Sequence, residues 1–597
     1  MADSPEKGTD GALTLTITTD GSELDDTVGV VSVIVNKAIN RIPYARLVVQ
    51  DGDMPEQDFP VSNMTEFQPG AEISISAGYG ETLDVIFKGV VVKHGIRIGR
   101  NNRSHLVVEC RDKAVAMTLG RKNANYVDSK DSDIISKVLG NYGGLSSEVE
   151  ATTYQWKEIV QYYSTDWDFV VSRAEANGQL VIVDDGTVSV KAPDTSTDAV
   201  LAVTYGIDVM ELDADVDARS QLSAVKAVSW DPKTQAVVSG KDAAPLTLNE
   251  QGNLTSATLA QVLGLDSFRL QTVAPLEKPV LDTWSDAQQL KAGLARIQGR
   301  MTFQGNSKAK VGTTVELGGV GERFNGKVFV TVVEHEISAG NWVSSVRLGA
   351  ASQWLADKRD VAPPPASGLV PGVEGLQVGV VKKLDEDPDG MSRIQVSVPL
   401  LESETEGVWA RLANFYGTNG AGAFFIPEIG DEVVLGYFNN DPSNPVILGS
   451  LYSSKNKAPY ALAANNFTKA LVTKANLKLE LDDENKIISL VTPGNNTIVI
   501  SDKDKSVVLT DQNGNTVELG QSGIKLDSSK DISIAAKGKI DIAATGALSI
   551  KSNADVSIDG MNVNANAQVG LTAKGNATAE ISASGQTTVK GAMVMIN

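Results

Sequence analysis

The sequence has one cysteine, three histidines and few aromatic residues, and it has no long apolar run. Cys110 alone cannot form an intrachain disulfide or a cysteine-rich metal site, and its place in the alternating segment HLVVECRD predicts a buried thiol. His94, His105 and His335 do not lie one helical turn apart, so the paired-histidine motif of a metallopeptidase is absent. These absences leave no metal site that the sequence predicts.

Export and membrane signals are also missing. The opening segment MADSPEKGTDGALTL lacks a basic region followed by an apolar core, and no uninterrupted apolar run reaches the roughly 18 residues of a membrane span. We therefore expect no stable membrane anchor and no use of the general secretory route. The formal net charge of -21 disfavours nucleic acid and anionic lipid as partners.

Catalytic signatures are equally scarce. The chain has no G-x-S-x-G elbow, no P-loop and no H-E-x-x-H segment, so we expect no enzyme activity, no catalytic residues and no cofactor. A pair of glycosidase carboxylates is assembled in space and is not visible to motif searching, so that alternative stays open at this point.

Three short segments imitate functional motifs. DEDPDG, Asp385–Gly390, resembles the first half of a calcium loop, but the position of its bidentate glutamate holds Val396, so an acidic hairpin turn is predicted. GTNGAG, Gly417–Gly422, is predicted to be a turn before a strand AFFIP. VEHEI, around His335, is predicted to be a strand, which points its two glutamates away from the imidazole.

What is present is mostly short alternating strands. Residues 12–350 carry segments such as ALTLTITT, ARLVVQD and AEISISAGYG, which indicate small β-barrels or sandwiches. Three helices are predicted to interrupt them, Asp131–Asn141, Asp166–Asn177 and Asp286–Met301, the last with Ser285 as its N-cap. With 597 residues, the chain exceeds a single core and should form three or four domains.

A domain boundary is predicted at VAPPPASGLVPG, Val361–Gly372, because consecutive prolines favour an extended, unpaired backbone. The next 85 or so residues contain two strand–turn–strand units, a size that suits a five-stranded barrel.

The last part of the chain repeats every eight residues. After a seven-residue step beyond Ile558 the spacing resumes with Ala565, Ala573, Ile581 and Val589. The predicted core positions of the two series before that step are Ile532, Ile540, Leu548 and Val556, and Ile534, Ile542, Ile550 and Ile558.

One eight-residue copy cannot fold alone. Each predicts a strand of about three residues with two inward apolar side chains, and the area that these bury does not offset the entropy of ordering eight residues. The copies must stack and share a core between chains, whereas a single-chain β-helix normally needs longer rungs or a ligand such as calcium. Three chains wound together would contribute one inward side chain each to every layer.

The order of these parts resembles the VgrG (valine-glycine repeat) spikes of type VI secretion and other contractile injection systems, and the related hub and spike of contractile phage tails. The hub segments STDWDFVVSRAEANGQLVIVDDG and VTVVEHEISAGNWVSSVRLG and the ending TTVKGAMVMIN carry part of the likeness. The most specific part is the barrel, where the residues that match the family signature are Trp409, Ala410, Arg411, Pro427, Glu428, Gly430, Asp431, Glu432, Val433 and Asp441–Gly449.

The resemblance implies a mainly β homotrimer with a hub of small β-barrels and a few helices, an OB-fold barrel, and a triple-stranded intertwined β-helix. The boundaries expected on this basis are 1–360 for the hub, 361–375 for a linker, 376–460 for the barrel, 461–475 for a neck and 476–597 for the needle. The neck is too short for the lysozyme domain that some phage spikes carry there. The chain also stops at Asn597, so any effector is expected to be a separate chain or to ride elsewhere.

The implied function is mechanical. The spike would join a hexameric Hcp-like inner tube and baseplate proteins to a PAAR-type tip protein, carry cargo effectors, and pierce the target envelope. It would assemble in the cytoplasm and leave with the injection particle. The tip-binding residues expected from this are Met593, Val594, Met595, Ile596 and Asn597. The rival interpretations are a glycan-degrading phage tailspike, disfavoured because no Trp, Tyr or Phe follows Phe467, and a trimeric adhesin, which would need an export signal or anchor.

Overall fold

The computed structural model describes residues 2–9, 11–80, 82–100, 103–246, 248–358, 361–401 and 407–596. The chain separates into two compact units, residues 1–451 and 452–597. Among the described residues, no helix is both long and apolar enough to cross a membrane.

The first unit begins with the strands of the hub. They are β1 (Leu13–Thr19), β2 (Ser22–Glu23), β3 (Val30–Ala38), β4 (Tyr44–Gln50), β5 (Glu72–Tyr79), β6 (Asp84–Ile98), β7 (Ser104–Arg111), β8 (Lys122–Lys130), β9 (Ser146–Val149), β10 (Gln155–Ser164), β11 (Leu180–Asp184), β12 (Thr187–Lys191), β13 (Leu201–Thr204), β14 (Glu211–Val216), β15 (Val225–Asp231), β16 (Ala236–Ala243), β17 (Phe268–Thr272), β18 (Ile297–Gln304), β19 (Thr314–Gly318), β20 (Gly326–Ser338) and β21 (Asn341–Leu348). The helices are α1 (Asp131–Leu139), α2 (Asp166–Ala176), α3 (Ser256–Leu263) and α4 (Lys278–Leu294).

Thirteen hub strands form one sheet in the order β14-β18-β21-β20-β3-β4-β7-β6-β5-β1-β2, with β19 on β20 and β13 on β19. The alternation that predicted these strands is visible in β4, where Ala45, Leu47 and Val49 are fully buried and Arg46 is exposed. The sheet covers two apolar cores, one around Leu47 and one around Phe303.

A buried ion pair joins α1 to α2. Arg173 donates two hydrogen bonds to Asp131, at 2.6 and 2.9 Å, and Asn177 and the Trp156 indole N–H donate to the same carboxylate. Burial by itself raises the pKa of Asp131, but the hydrogen bonds and charge of Arg173 outweigh it and leave the pKa below its ordinary value. Both predicted helices are confirmed, and this ion pair holds one against the other.

The third predicted helix is wrong at both ends. The helix α4 starts at Lys278, with Pro279 in its first turn, so the expected cap Ser285 lies inside it and accepts a hydrogen bond from Ala227 N–H. Residues from Ile297 onward belong to β18, because their apolar positions pair between β14 and β21. The helix α3 was not predicted.

The barrel strands are β22 (Gln377–Lys383), β23 (Ile394–Ser397), β24 (Val408–Leu412), β25 (Gly417–Thr418), β26 (Ala421–Gly422), β27 (Glu432–Tyr437) and β28 (Pro445–Ser450). Five of them close in the order β22-β23-β24-β28-β27 around Val381, Val396, Val433, Leu435 and Ile447, which confirms the predicted five-stranded barrel. GTNGAG forms the β25–β26 hairpin, but AFFIP is not a strand as predicted, because the segment pairs with no neighbouring strand.

The second unit contains β29 (Thr468–Val472), β30 (Lys478–Asp482), β31 (Ile487–Val491), β32 (Thr497–Ser501), β33 (Ser506–Thr510), β34 (Thr516–Gly520) and β35 (Gly523–Asp527). These form a single antiparallel sheet in sequence order, here called the shaft sheet. It starts within the segment predicted as a neck. Residues 528–596, here called the octad segment, contain no strand within the single chain.

Gly305 allows Trp342 to complete the core under the hub sheet, which gives a steric prediction. A Cβ atom on Gly305 would lie 2.1 Å from Trp342 Cγ, and Trp342 is only 2% exposed. We expect Gly305→Ala to lower the free energy of unfolding by about 1–3 kcal/mol and to shift tryptophan fluorescence. Gly143→Ala is the matched control, because no atom lies within 4 Å of its added Cβ. Equal urea midpoints for the two variants would contradict this packing.

Candidate functional site

One face of the shaft sheet is apolar and open. The register pairs Leu479 with Leu490, Leu490 with Ile498, Ile498 with Leu509, Leu509 with Val517 and finally Val517 with Leu526, so one apolar row crosses six strands. A second row runs beside it through Leu481, Ile488, Ile500, Val507, Leu519 and Ile524. The opposite face carries Glu480, Ser489, Val499, Val508, Glu518 and Lys525.

The apolar face has no cover within its own chain. Leu490 and Ile500 are each 43% exposed, and Ile524 is 75% exposed. An antiparallel sheet normally buries its apolar face against another layer, so this face is a candidate interface.

The backbone of the octad segment also lacks partners, in this case for its hydrogen-bonding groups. No backbone–backbone hydrogen bond joins any two of its residues, 528–596 being described without a gap. Its eight predicted core residues are all exposed in the single chain, from 50% for Ile540 to 74% for Ile550. Side chains satisfy a few of the backbone groups, since Lys530 N–H donates to Ser528 Oγ and Ala554 N–H to Ser552 Oγ, but no strand pairing satisfies the rest within the described segment.

The expected tip residues lie at the far end of this segment. Met593, Val594, Met595 and Ile596 are 79%, 50%, 81% and 91% exposed, so they form an uncovered apolar end of the chain. Asn597 lies outside the described residues.

The hub sheet has two open strand edges of opposite charge. At one end β14 pairs only with β18 among the described strands, and Glu211, Asp213 and Asp215 are exposed along it; this is the acidic edge. The C-terminal half of β6, from Val92 to Ile98, pairs only with β7. The charged residues of this half strand and of the segment up to β7 are Lys93, Arg97, Arg100 and Arg103, here called the basic ribbon; Lys93 is paired with Glu109 of β7 at 3.1 Å.

Trp354 and Leu355, which follow the last hub strand and are here called the strap, contact α2 and α4 through hydrogen bonds. The Trp354 indole donates to Gln288 Oε1 at 2.7 Å, and Leu355 N–H donates to Glu175 Oε2 at 2.8 Å. The other oxygen of Glu175 pairs with Lys291 at 2.8 Å, and the Lys291 ammonium lies 4.9 Å from the centre of the Trp354 ring. No sequence pattern predicted this strap, whose one signal is a tryptophan placed beyond the last hub strand.

The space beneath the strap is only partly filled. A cavity of about 300 Å³ lies there, lined by Ile39, Leu180, Leu290 and Leu294, among others. Leu355 packs against the apolar core that α1 and α2 share, so the strap combines this apolar contact with its polar ones.

The motif-like segments have structural roles. Asp387 accepts backbone hydrogen bonds from Asp389, Met391 and Arg393, and hydrogen bonds from the Arg393 guanidinium hold the pKa of its carboxyl well below the usual range. DEDPDG is thus the predicted acidic turn. No group of potential metal ligands occurs in the part of the chain that the structure describes. Burial, with a contribution from Glu109, raises the pKa of Cys110 to about 12, as expected of a buried thiol.

His335 is a buried core residue. Its Nδ1 lies 2.8 Å from Ser344 Oγ, while the neighbouring Glu334 turns the other way and accepts from Asn36, as the strand alternation predicted. Burial, followed by the charge of Lys37, lowers the pKa of His335 to about 3.

Comparison with known proteins follows this geometry. Residues 377–452 match the family model of the type VI secretion system/phage-baseplate injector OB domain, and residues 9–339 match that of the Alg8 N-terminal domain. The type VI spike protein VgrG5 of Pseudomonas aeruginosa is 32% identical over 122 residues, which are 19% of this chain and 15% of VgrG5. VgrG3 of Vibrio cholerae is 32% identical over 92 residues, 15% of this chain and 9% of that protein.

Solved structures include similar proteins at low identity. A tail protein of Neisseria meningitidis matches 58% of this chain and 99% of its own at 13% identity, with a TM-score of 0.44. A chain of a PdpA–VgrG complex matches 86% of this chain and 98% of its own at 10% identity, with a TM-score of 0.36.

The mainly β architecture, with its closed barrel matching an injector OB domain, is of the VgrG and phage-baseplate class. The N-terminal match covers more than half of the sequence, so the chain belongs to the family of the Alg8 N-terminal domain. The chain spans less than a fifth of the length of the two curated VgrG relatives named above.

The buried His335 predicts a pH dependence of stability. Because its pKa is about 3 in the folded protein, the unfolded chain alone takes up the proton once the pH falls below about 6.5. The contribution to stability is complete above pH 6.5 and is lost toward acid, at up to about 1.4 kcal/mol per pH unit. His335→Gln should flatten this slope between pH 6.5 and 5 in urea titrations. His105→Gln, at a half-buried position on β7, is the control, and an identical slope in His335→Gln and the wild type would refute the assignment.

Proposed function

We propose that this chain is the homotrimeric central spike of a contractile injection system and that its work is structural rather than catalytic. The observation that carries the proposal is the second unit, whose apolar sheet face and unpaired octad backbone both lack partners within the chain. Both deficits disappear if several copies turn the shaft face and the octad side chains inward and exchange backbone hydrogen bonds. Three is the number of copies that the similarity to VgrG spikes implies.

The open edges of the hub support a ring of copies. The sheet has eight strands from β14 to β6, counting both. Each strand is antiparallel to its neighbour, so β14 and β6 run in opposite directions. Rotation about an axis along the strands brings β6 of one copy antiparallel to β14 of the next. The basic ribbon then meets the acidic edge, with favourable charge and a main-chain ladder that neither edge has alone.

The proposed partners follow from this arrangement. A PAAR-type tip protein would cover the apolar end of the needle, an Hcp-like tube and baseplate proteins would contact the hub, and cargo effectors would travel with the assembly. The spike would assemble in the cytoplasm and be delivered out of the cell. A glycan-degrading role lacks aromatic sugar platforms in the shaft, since no aromatic residue follows Phe467.

The needle core gives the first test, through two adjacent residues. Leu548 belongs to the predicted inward series and Ser549 alternates to the opposite side. We expect Leu548→Asp to place one uncompensated carboxylate from each chain in the same dry layer, at a cost of about 3–5 kcal/mol each. Light scattering of the full-length protein should give a trimeric mass for the wild type and for Ser549→Asp, and a lower melting temperature or a smaller mass for Leu548→Asp. A monomeric wild type would overturn the proposal.

The tip gives a second test. Deletion of residues 591–597 removes the exposed apolar end but leaves the rest of the octad segment, so the oligomer should persist while a PAAR-type protein is no longer retained in a pull-down. The paired variant Lys551→Ser, in the middle of the octad segment, should retain it. Undiminished capture by the truncated protein would rule out these residues as the tip-binding surface.

A further inference from the structure

A second uncovered apolar surface lies on the barrel. Residues 413–427, here called the aromatic hairpin, expose Phe415 (87%), Phe424 (86%), Phe425 (58%) and Tyr416 (56%). No charged residue occurs anywhere in this segment, in a chain of which 21% is charged. Aromatic residues without charge are the composition of the centre of a protein interface, not of its rim.

The hairpin is a built structure and not a loose loop. Gly417 pairs with Gly422, and Ala423 N–H donates to Tyr416 C=O at 2.9 Å. Gly422 has a φ of +149°, and a Cβ atom there would lie 2.7 Å from Tyr416 O, so the close turn requires glycine.

The base of the hairpin is joined to the barrel wall. Ala413 N–H donates to Ile447 C=O on β28 at 2.9 Å, and the Asn414 side chain donates to Ala423 C=O. The four rings are thus displayed on a fixed support before any partner arrives, which limits the entropy lost on binding.

We infer that the aromatic hairpin packs against the barrel of a second copy of this chain. Each copy carries a net charge of -21, so a surface without charged groups is one through which two copies can meet without local repulsion. The aromatic hairpin is such a surface.

Chain connectivity favours the same occupant. Only residues 451–467 separate the end of β28 from the start of β29, and even a fully extended segment of that length spans no more than about 60 Å. If copies join through the shaft sheet, which is the proposed function on which this inference rests, their barrels lie within reach of one another. A saccharide is a poorer fit, because the only hydrogen-bonding side chains in the hairpin besides Tyr416 are those of Asn414, Thr418 and Asn419, and Asn414 already donates to Ala423 C=O.

The test replaces Phe424 with the photo-reactive, similarly aromatic residue p-benzoylphenylalanine in the full-length protein. Irradiation should produce a covalent adduct of two chains, seen by denaturing electrophoresis and identified by mass spectrometry as a link to barrel residues of another copy. The same replacement at Tyr205, an exposed ring of the hub (66%), is the control and should give no link to a barrel.

The oligomeric mass of the same samples separates the two hypotheses. A monomer by light scattering would overturn both the proposed function and this inference. An oligomer in which position 424 links only within its own chain, or to nothing, would overturn this inference alone and leave the rings available to an outside partner such as a glycan. Loss of the adduct in the second variant Phe415→Ser, with the oligomer intact, is further expected if the two rings share the contact.

Discussion

The constraint on which this protein depends is that backbone hydrogen-bonding groups and apolar faces must find partners, and that its last 130 residues cannot supply their own. In the hub and barrel the apolar cores are made by strands of the same chain, so Leu47, Phe303 and Val433 are fully buried. Beyond β28 that self-sufficiency ends. The shaft sheet pairs all its strands but leaves its apolar face open, and the described octad segment forms neither strands nor a covered face, which is why we propose that other chains complete both.

This graded dependence suits a part that transmits force. In an interlocked octad segment the load would pass through hydrogen bonds between chains along the whole length, with a dry column of Ile, Leu, Val and Ala inside. The same logic explains the sequence composition. Aromatic residues, which need wide cores, end at Phe467, and the shaft sheet and octad segment use small and branched aliphatic side chains, as a narrow needle would require.

Much of this architecture could be predicted from the sequence because its signals are periodic. Alternation in β4 and β20 indicated their buried faces, and it placed His335 inward with its glutamate neighbours outward. Local patterns failed where tertiary pairing decided the outcome. The apolar positions at Ile297 and Met301 fit a helix equally well, and only the neighbouring strands β14 and β21 make them a strand.

The interaction surfaces were harder to predict for the same reason. The acidic alternation in ELDADVD and the run of cations from Lys93 to Arg103 were both readable, but nothing in the sequence says that each occupies an unpaired edge. The aromatic rings of the hairpin looked like part of a strand, since exposure cannot be read from a short apolar run. The strap depends on contacts between residues about 60 and 180 positions apart in the chain, which no local pattern reports.

Because the octad segment repeats every eight residues, its repeats alone do not fix how neighbouring chains would align in the proposed needle. Two chains displaced by one repeat would present nearly the same side chains to each other, so the needle by itself barely distinguishes aligned from shifted assemblies. The shaft sheet would favour the aligned assembly, because its hairpins differ in sequence and a shifted chain would pair different hairpins. The single seven-residue step between Ile558 and Ala565 would also favour aligned chains, since in chains shifted by one repeat this step would lie at different levels along the needle. In the proposed assembly, the alignment that the shaft sheet sets would thus be reinforced halfway along the octad segment.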